Sequence, residues 1–243
     1  MEYLISKIKE RIKPNVFAIT LNWNTKVSTS ECLESLLELD YPNLQILVVD
    51  NGSIDGSVDY FKEKFGDIVS IITNDYNMGY SEGFNIGISE AFENNCDYIL
   101  IVNSDTYIDS TALNEMVDVA EKEENIGFVT GKVYLYPNNV KTKILQTVGR
   151  RYHPINLVGE HIGAGETDLG QYEEIRNLDF CDDVFLLVRR SVIEKTGGYN
   201  PNFFIQYEES DWQMRAKNLG YKIYYTPHAK IWHKVSLSTG GSE

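Results

Sequence analysis

The sequence is poor in cysteine, in long apolar runs and in positive charge. Its three cysteines, Cys32, Cys96 and Cys181, are odd in number and far apart, and no CxxC pair occurs. Neither a disulfide framework nor a zinc ribbon fits that spacing, and a reducing cytoplasm is the matching compartment. No apolar run approaches the ~20 residues of a membrane-spanning helix, and no signal peptide is visible. Basic residues number 22 against 36 acidic ones, a formal charge of −14, which disfavours nucleic acid as a partner. What is present is ordinary globular composition, 42% hydrophobic and 24% charged, rather than that of a disordered chain. The length of 243 residues suffices for one large α/β domain or two small ones.

One segment departs from the acidic balance. In MEYLISKIKERIKP at 1–14, Leu4, Ile5, Ile8 and Ile12 fall at helical spacing, and Lys7, Lys9, Arg11 and Lys13 occupy much of the rest. Such a helix either lies peripherally on the anionic inner face of a membrane or packs on the edge of its own domain. Pro14 ends it, so 1–14 is read as an amphipathic segment and 15–243 as one domain.

Apolar runs then alternate with helical stretches. VFAITL at 16–21, LQILVV at 44–49, VSIIT at 69–73 and YILIV at 98–102 read as strands. A helix is predicted over 28–39, where Cys32, Leu33, Leu36 and Leu37 share a face; others end near Phe65 and Glu93. This alternation predicts right-handed crossovers and a mainly parallel sheet flanked by helices. Further on, the pattern predicts a helix over 110–124, a strand over 126–136 and an irregular excursion over 138–177. A strand at 184–188, helices at 191–197 and 210–219, and a strand at 221–226 follow. Pro227-His228 reads as a turn before a short strand at 230–232 and a Ser/Gly-rich tail.

Three strands end in polar clusters: Asn22-Trp23-Asn24, Asp50-Asn51-Gly52-Ser53 and Asn103-Ser104-Asp105. In a parallel sheet these ends gather along one edge, where α/β folds bind ligands. An aspartate there can hold a hard cation that bridges to phosphates; equally, Asp105 could cap the helix after Ser110. Gly79, Gly83 and Gly87 recur every four residues, with Asn77 and Asn85 beside them. The pattern is not the GxGxxG that follows a strand in dinucleotide-binding folds. A nucleotidyltransferase would need a glycine-rich basic loop after the first strand, and TLNWNTKVST at 20–29 has no glycine and one lysine.

Five stretches occur in order: VVDNGSIDGS at 48–57, NMGYSEGFNIG at 77–87, VNSDT at 102–106, GGYNPNFFIQYEESDWQMRAKNLGYKI at 197–223, and H-K-x-S-x-S-x-G at 233–240. Together they resemble the family-2 glycosyltransferases of the A-type fold, in particular the rhamnosyltransferase-like branch, over 16–240. The resemblance implies a single-domain A-type fold, Mn²⁺ or Mg²⁺, and inverting transfer from a nucleoside-diphosphate sugar, dTDP- or UDP-linked. The implied acceptor is a hydroxyl of a saccharide or lipid-linked saccharide, in polysaccharide or glycolipid assembly. Asn103, Ser104 and Asp105 match the family's DXD-like site, with Asn in place of its first Asp. Asp50 and Asn51 match the residues facing base and ribose, with Leu21 and Asn22 beside them. Asn77, Gly83 and Asn85 match the flank of the nucleotide sugar. Glu209 matches the presumed general base, with Tyr207 and Trp212 expected to bury it, and Asp211 a structural companion bound to Arg215 or nearby backbone. His233, rather than His228, His153 or His161, matches a second metal ligand beside Asp105. Two departures stand out. Asp182-Asp183 replaces a small Gly-Ala pair, and the chain stops soon after Gly240, where many relatives continue into further helices. A sugar-binding module without turnover is the alternative class.

Overall fold

The computed structural model describes residues 13–152 and 159–234. The amphipathic segment read at 1–14 lies, but for its last two residues, outside the described residues, as does the tail after Lys234. The first half of the chain builds β1 (Val16–Asn22), α1 (Lys26–Leu37), β2 (Leu44–Asp50), α2 (Ser57–Phe65), β3 (Val69–Thr73), α3 (Tyr80–Glu93) and β4 (Tyr98–Asn103). The strands are parallel in the order β4-β1-β2-β3. Alternation along them separates two cores. Val16, Ala18, Leu100 and Val102 meet α1 and α2 through Leu33, Leu36, Phe61 and Phe65. Phe17, Ile19, Ile99 and Ile101 meet α3 through Phe84, Ile88 and Ala91. Both faces are therefore covered, which is why these strands read as continuous apolar runs.

The order also locates a crevice. From β1 the chain steps outward to β2 and β3, then α3 carries it back across the other face to β4 on β1's far side. This reversal between β1 and β4 is a topological switch point, and the carboxyl ends of the two strands open onto it.

The second half comprises β5 (Thr106–Ile108), α4 (Ala112–Ala120), β6 (Ile126–Leu135), β7 (Leu145–Thr147), β8 (Arg150–Tyr152), β9 (Gly159–His161), β10 (Arg176–Leu178), β11 (Phe185–Arg189), α5 (Arg190–Thr196), α6 (Glu208–Asn218) and β12 (Lys222–His233). Here β11 runs antiparallel between β4 and β6, and β12 parallel to β6. Among the described residues the single-domain α/β fold is thus a ten-stranded sheet, mostly parallel with antiparallel additions, beside the separate two-stranded β8–β9. No helix among the described residues is long and apolar enough to cross a membrane.

Three local expectations change. The turn read at Pro227-His228 is part of a continuous β12. The β6–β12 register shifts between Tyr225 and Lys230, and a proline without an N–H is tolerated where a ladder is interrupted. The stretch after Asp105 is a strand, β5, paired antiparallel with the end of β12. The excursion over 138–177 holds short strands and is pinned to β6. The buried Lys132 ammonium bonds Asp168 at 2.7 Å and Glu173 at 2.5 Å.

Candidate active site

A cavity of about 580 Å³ opens at the switch point. Leu21, Asn51, Asn77, Asn103 and Ser104 line it, as do Gln146, Arg150, His161, Asp182, Asp183, Glu208 and Glu209; His233 also faces it. Of the residues singled out in the sequence, Asn22, Asp50, Gly83, Asn85 and Asp105 are not in this lining and stand behind it.

Those five have visible tasks. Asn22 and Asp50 are register partners at the ends of β1 and β2. Asn22 Nδ2 donates to Asp50 Oδ2 at 2.6 Å, and Asp50 Oδ1 accepts from Ser53 N at 2.9 Å. Asn22 Oδ1 accepts from Thr25 and Thr29, tying the strand to α1. Gly83 permits close approach: an added Cβ would stand 2.6 Å from Leu21 Cδ1. Asn85 Nδ2 donates to Tyr199 O, and its Oδ1 accepts from Tyr199 N, both at 2.9 Å. Asn51 lines the cavity yet is also a brace. Its Nδ2 donates to Asn77 Oδ1 and Gly79 O, and its Oδ1 accepts from Asn74 Nδ2 and Met78 N.

Asp105 follows β4, and the pairing of β5 with β12 sets Thr106 opposite His233. His233 Nε2 therefore comes within 3.0 Å of Asp105 Oδ1, with both side chains buried. His233 Nδ1 lies 2.7 Å from Gln146 Oε1. Nε2 faces a carboxylate oxygen, and a proton or a metal ion can lie between the two. Two ligands at right angles on a metal with bonds of about 2.1 Å stand about 3.0 Å apart, so the pair fits a Mn²⁺- or Mg²⁺-sized ion. Among the described residues no group of three or more acidic, histidine or cysteine side chains surrounds such a point. The rest of the coordination would come from phosphate and water. His228 is exposed on β12. The helix after Ser110 is served by Asp109, whose Oδ1 accepts from Thr111 N and Oγ1, not by Asp105.

Glu209 sits in the first turn of α6, which begins two residues earlier than its pattern indicated. Its carboxylate is not buried by Tyr207 and Trp212 as expected. Tyr207 is 71% exposed, whereas Trp212 turns into the core against Phe128 and Tyr199. Instead Glu209 Oε1 accepts from Arg150 Nη1 at 3.2 Å and Ser210 Oγ at 3.0 Å. Asp211 pairs with Arg215 Nε at 2.8 Å, and Arg215 reaches the carbonyls of Thr196 and Gly198. It therefore ties α6 to the end of α5.

Around Glu209 the carboxyls crowd. Asp183 accepts from Tyr199 OH at 2.8 Å. Burial pushes it well above the usual carboxylate range, and the charges of Glu209 and Glu208 add to this. Burial, then the charge of Glu209, raises Glu208 to about 7. The sign of the consequence is fixed. Below pH ~4.5 both folded and unfolded states hold the Glu208 proton; above that the unfolded chain releases it first, so stability falls until the pH passes about 7. Glu208→Gln removes the cost. In urea unfolding, the variant should gain on the wild type by about 1–3 kcal/mol between pH 5 and pH 8. A constant difference between the two would contradict this.

Arg150, His161, Gln146 and Glu208 were not assigned to the site from the sequence. Three lie in the irregular excursion, where no periodicity marks them. Glu208 was detectable only as the neighbour of Glu209.

The sheet order, the switch-point cavity and the acid pair at its rim define an A-type nucleotide-diphospho-sugar transferase fold. The chain belongs to glycosyl transferase family 2, whose model matches residues 18–197. It is 28% identical over 239 residues to the probable glycosyltransferase YdaM of Bacillus subtilis, covering 95% of this chain and 53% of that protein. It is 24% identical over 220 residues to the poly-beta-1,6-N-acetyl-D-glucosamine synthase of Staphylococcus epidermidis, covering 90% and 50%. The chain thus spans about half the length of these curated relatives. Among solved structures, GalNAc-T7 with UDP, GalNAc and Mn²⁺ superposes with a TM-score of 0.75 at 12% identity, covering 90% of this chain and 43% of that one. Mannosyltransferase PcManGT from Pyrobaculum calidifontis, in complex with GDP-Man and Mn²⁺, gives 0.61 at 17% identity, covering 97% and 64%. At those identities the likeness is one of fold.

Proposed function

We propose that the protein transfers a sugar from a nucleoside-diphosphate sugar to a hydroxyl of a saccharide acceptor, with inversion at the anomeric carbon. The observation that carries this is that Glu209 and His233 open onto one cavity, with Asp105 directly behind His233. Leu21, Asn51, Asn77, Asn103 and Ser104 face the donor, and Asn22, Asp50, Gly83 and Asn85 keep that wall in shape. Glu209 accepts the proton of the acceptor hydroxyl as its oxygen bonds to the anomeric carbon and the bond to the diphosphate breaks on the opposite side. Asp105 and His233 would hold a Mn²⁺ or Mg²⁺ ion, which when bound neutralises charge on the leaving diphosphate. A sugar-binding module would need no such base.

The relatives named for a polymer of N-acetylglucosamine make UDP-N-acetylglucosamine the first donor to try, ahead of the dTDP-linked sugars that the rhamnosyltransferase-like motifs favour. A saccharide or lipid-linked saccharide acceptor, in polysaccharide or glycolipid assembly, completes the reading. So does a cytoplasmic location with peripheral contact at the inner membrane face through Lys7, Lys9, Arg11 and Lys13. The test is a thermal-shift panel of UDP-, dTDP- and GDP-sugars with Mn²⁺, followed by nucleoside-diphosphate release. One donor class should stabilise the protein and turn over. Stabilisation without release in the presence of saccharide acceptors would favour the binding module, and no stabilisation by any donor would reject the proposal.

A further inference from the structure

Four carboxyl groups, Asp182, Asp183, Glu208 and Glu209, line the cavity, and Arg150 and His161 line it with them. Only one of the four can serve as base, and something must select it. The hairpin β8–β9 sets Arg150 opposite His161. An isolated bridge between Arg150 and Phe180, with Arg150 N donating to Phe180 O at 2.8 Å, fixes the hairpin beside Asp182. The result is a row. His161 Nδ1 lies 3.2 Å from Asp182 Oδ2; Asp182 Oδ1 lies 3.3 Å from Arg150 Nη1; Arg150 Nη1 lies 3.2 Å from Glu209 Oε1. Asp183 is engaged by Tyr199 instead, and no cation within ion-pair distance of Glu208 is described.

We propose that Arg150, anchored by Asp182 and His161, is a positioning residue for the transfer: it holds Oε1 of Glu209 and so turns Oε2 to the acceptor hydroxyl. This rests on the reading of Glu209 as base. The hydrogen bonds described for the Glu209 carboxylate both end on Oε1, so the second oxygen is oriented but not consumed. Tyr80 and Tyr199, which flank Asp183, are neutral. The arginine therefore decides which carboxyl group of the cluster is held in a fixed orientation. The selectivity comes from the excursion, which carries Arg150 and His161.

The experiment has two arms. In the first, UDP release from UDP-N-acetylglucosamine with Mn²⁺ and a β-1,6-linked N-acetylglucosamine oligosaccharide is followed against pH for the wild type, Arg150→Met, Arg150→Lys, Glu209→Gln and Arg150→Met/Glu209→Gln. Arg150→Met should lower kcat about 10- to 100-fold and leave the donor KM within about two-fold. Arg150→Lys should recover part of the loss. The double variant should be no slower than Glu209→Gln, because a residue acting through another adds nothing once that one is gone. Additive losses, or an Arg150→Met profile like the wild type beside an inactive Glu209→Gln, would overturn the proposal and leave the base reading intact. An active Glu209→Gln would instead remove the base reading. The second arm needs no turnover. In the ¹⁵N spectrum of arginine-labelled protein, the Arg150 guanidinium should show restricted rotation that is loosened in Glu209→Ala, which removes the accepting oxygen, and retained in Glu208→Gln. A freely rotating Arg150 in the wild type would overturn the proposal by itself.

Discussion

Glu209→Gln should lose ~10²–10⁴ of the turnover rate while binding nucleoside diphosphate and Mn²⁺ like the wild type. Glutamine has the same length and can still accept at Oε1 from Arg150 Nη1 and Ser210 Oγ, so the first turn of α6 keeps its form. It cannot take up the proton that the acceptor hydroxyl must shed. The pair Asp105 and His233 belongs to β4–β5 and β12 and makes none of these contacts. The measurement is nucleoside-diphosphate release beside calorimetry of UDP with Mn²⁺. A loss of binding equal to the loss of rate would mean that the substitution disturbed the cavity rather than the chemistry. Near-normal turnover would pass the role to Glu208 or Asp183. Asp211→Asn serves as the companion, because its partner Arg215 braces α5 and not the cavity. It should change stability and spare the rate.

Part of the cavity lining was legible in the sequence because strand ends announce themselves. An apolar run that breaks into Asn22, Asp50 or Asn103 reports both a buried strand and the edge at which it stops, and parallel order does the rest. The pairing of Asp105 with His233 had a weaker signal. It depends on β5, a three-residue strand, meeting a β12 that continues through Pro227. A proline inside a strand reads locally as a break, and only the shifted register against β6 accommodates it. Another part of the lining was hidden for a different reason. Arg150 and His161 are brought in by a hairpin and a single bridge to Phe180, contacts set by tertiary packing rather than by any period in the chain. Asp182-Asp183 was visible as an oddity, but its ion-pair partners were not.

Asp105→Ala should abolish the metal dependence of nucleoside-diphosphate binding. With Mn²⁺ present, the wild type should bind UDP far more tightly than with chelator; in the variant the two conditions should converge at the weak value. Loss of a residue that merely supports a metal ligand costs 10–100-fold in affinity, and loss of the ligand itself should cost at least as much, so a decrease of about 100-fold or more is expected. Asp105 is almost fully buried and its carboxylate meets His233 Nε2, so Asp105→Asn is the control for packing: it keeps the volume and removes the charge. Both variants should behave alike toward Mn²⁺. His233→Ala should weaken Mn²⁺ binding in the presence of UDP by a smaller factor, since imidazole is a less favoured ligand for this ion than oxygen. Gln146→Ala, which frees the imidazole from its 2.7 Å contact, should weaken it less again. His228→Ala, on the exposed side of β12, should leave it unchanged. If UDP bound equally well with Mn²⁺ and with chelator, the buried pair would be held by a proton instead, an ion pair fastening β12 to the end of β4. In that case His233→Ala would lower the melting temperature without altering the affinity for UDP.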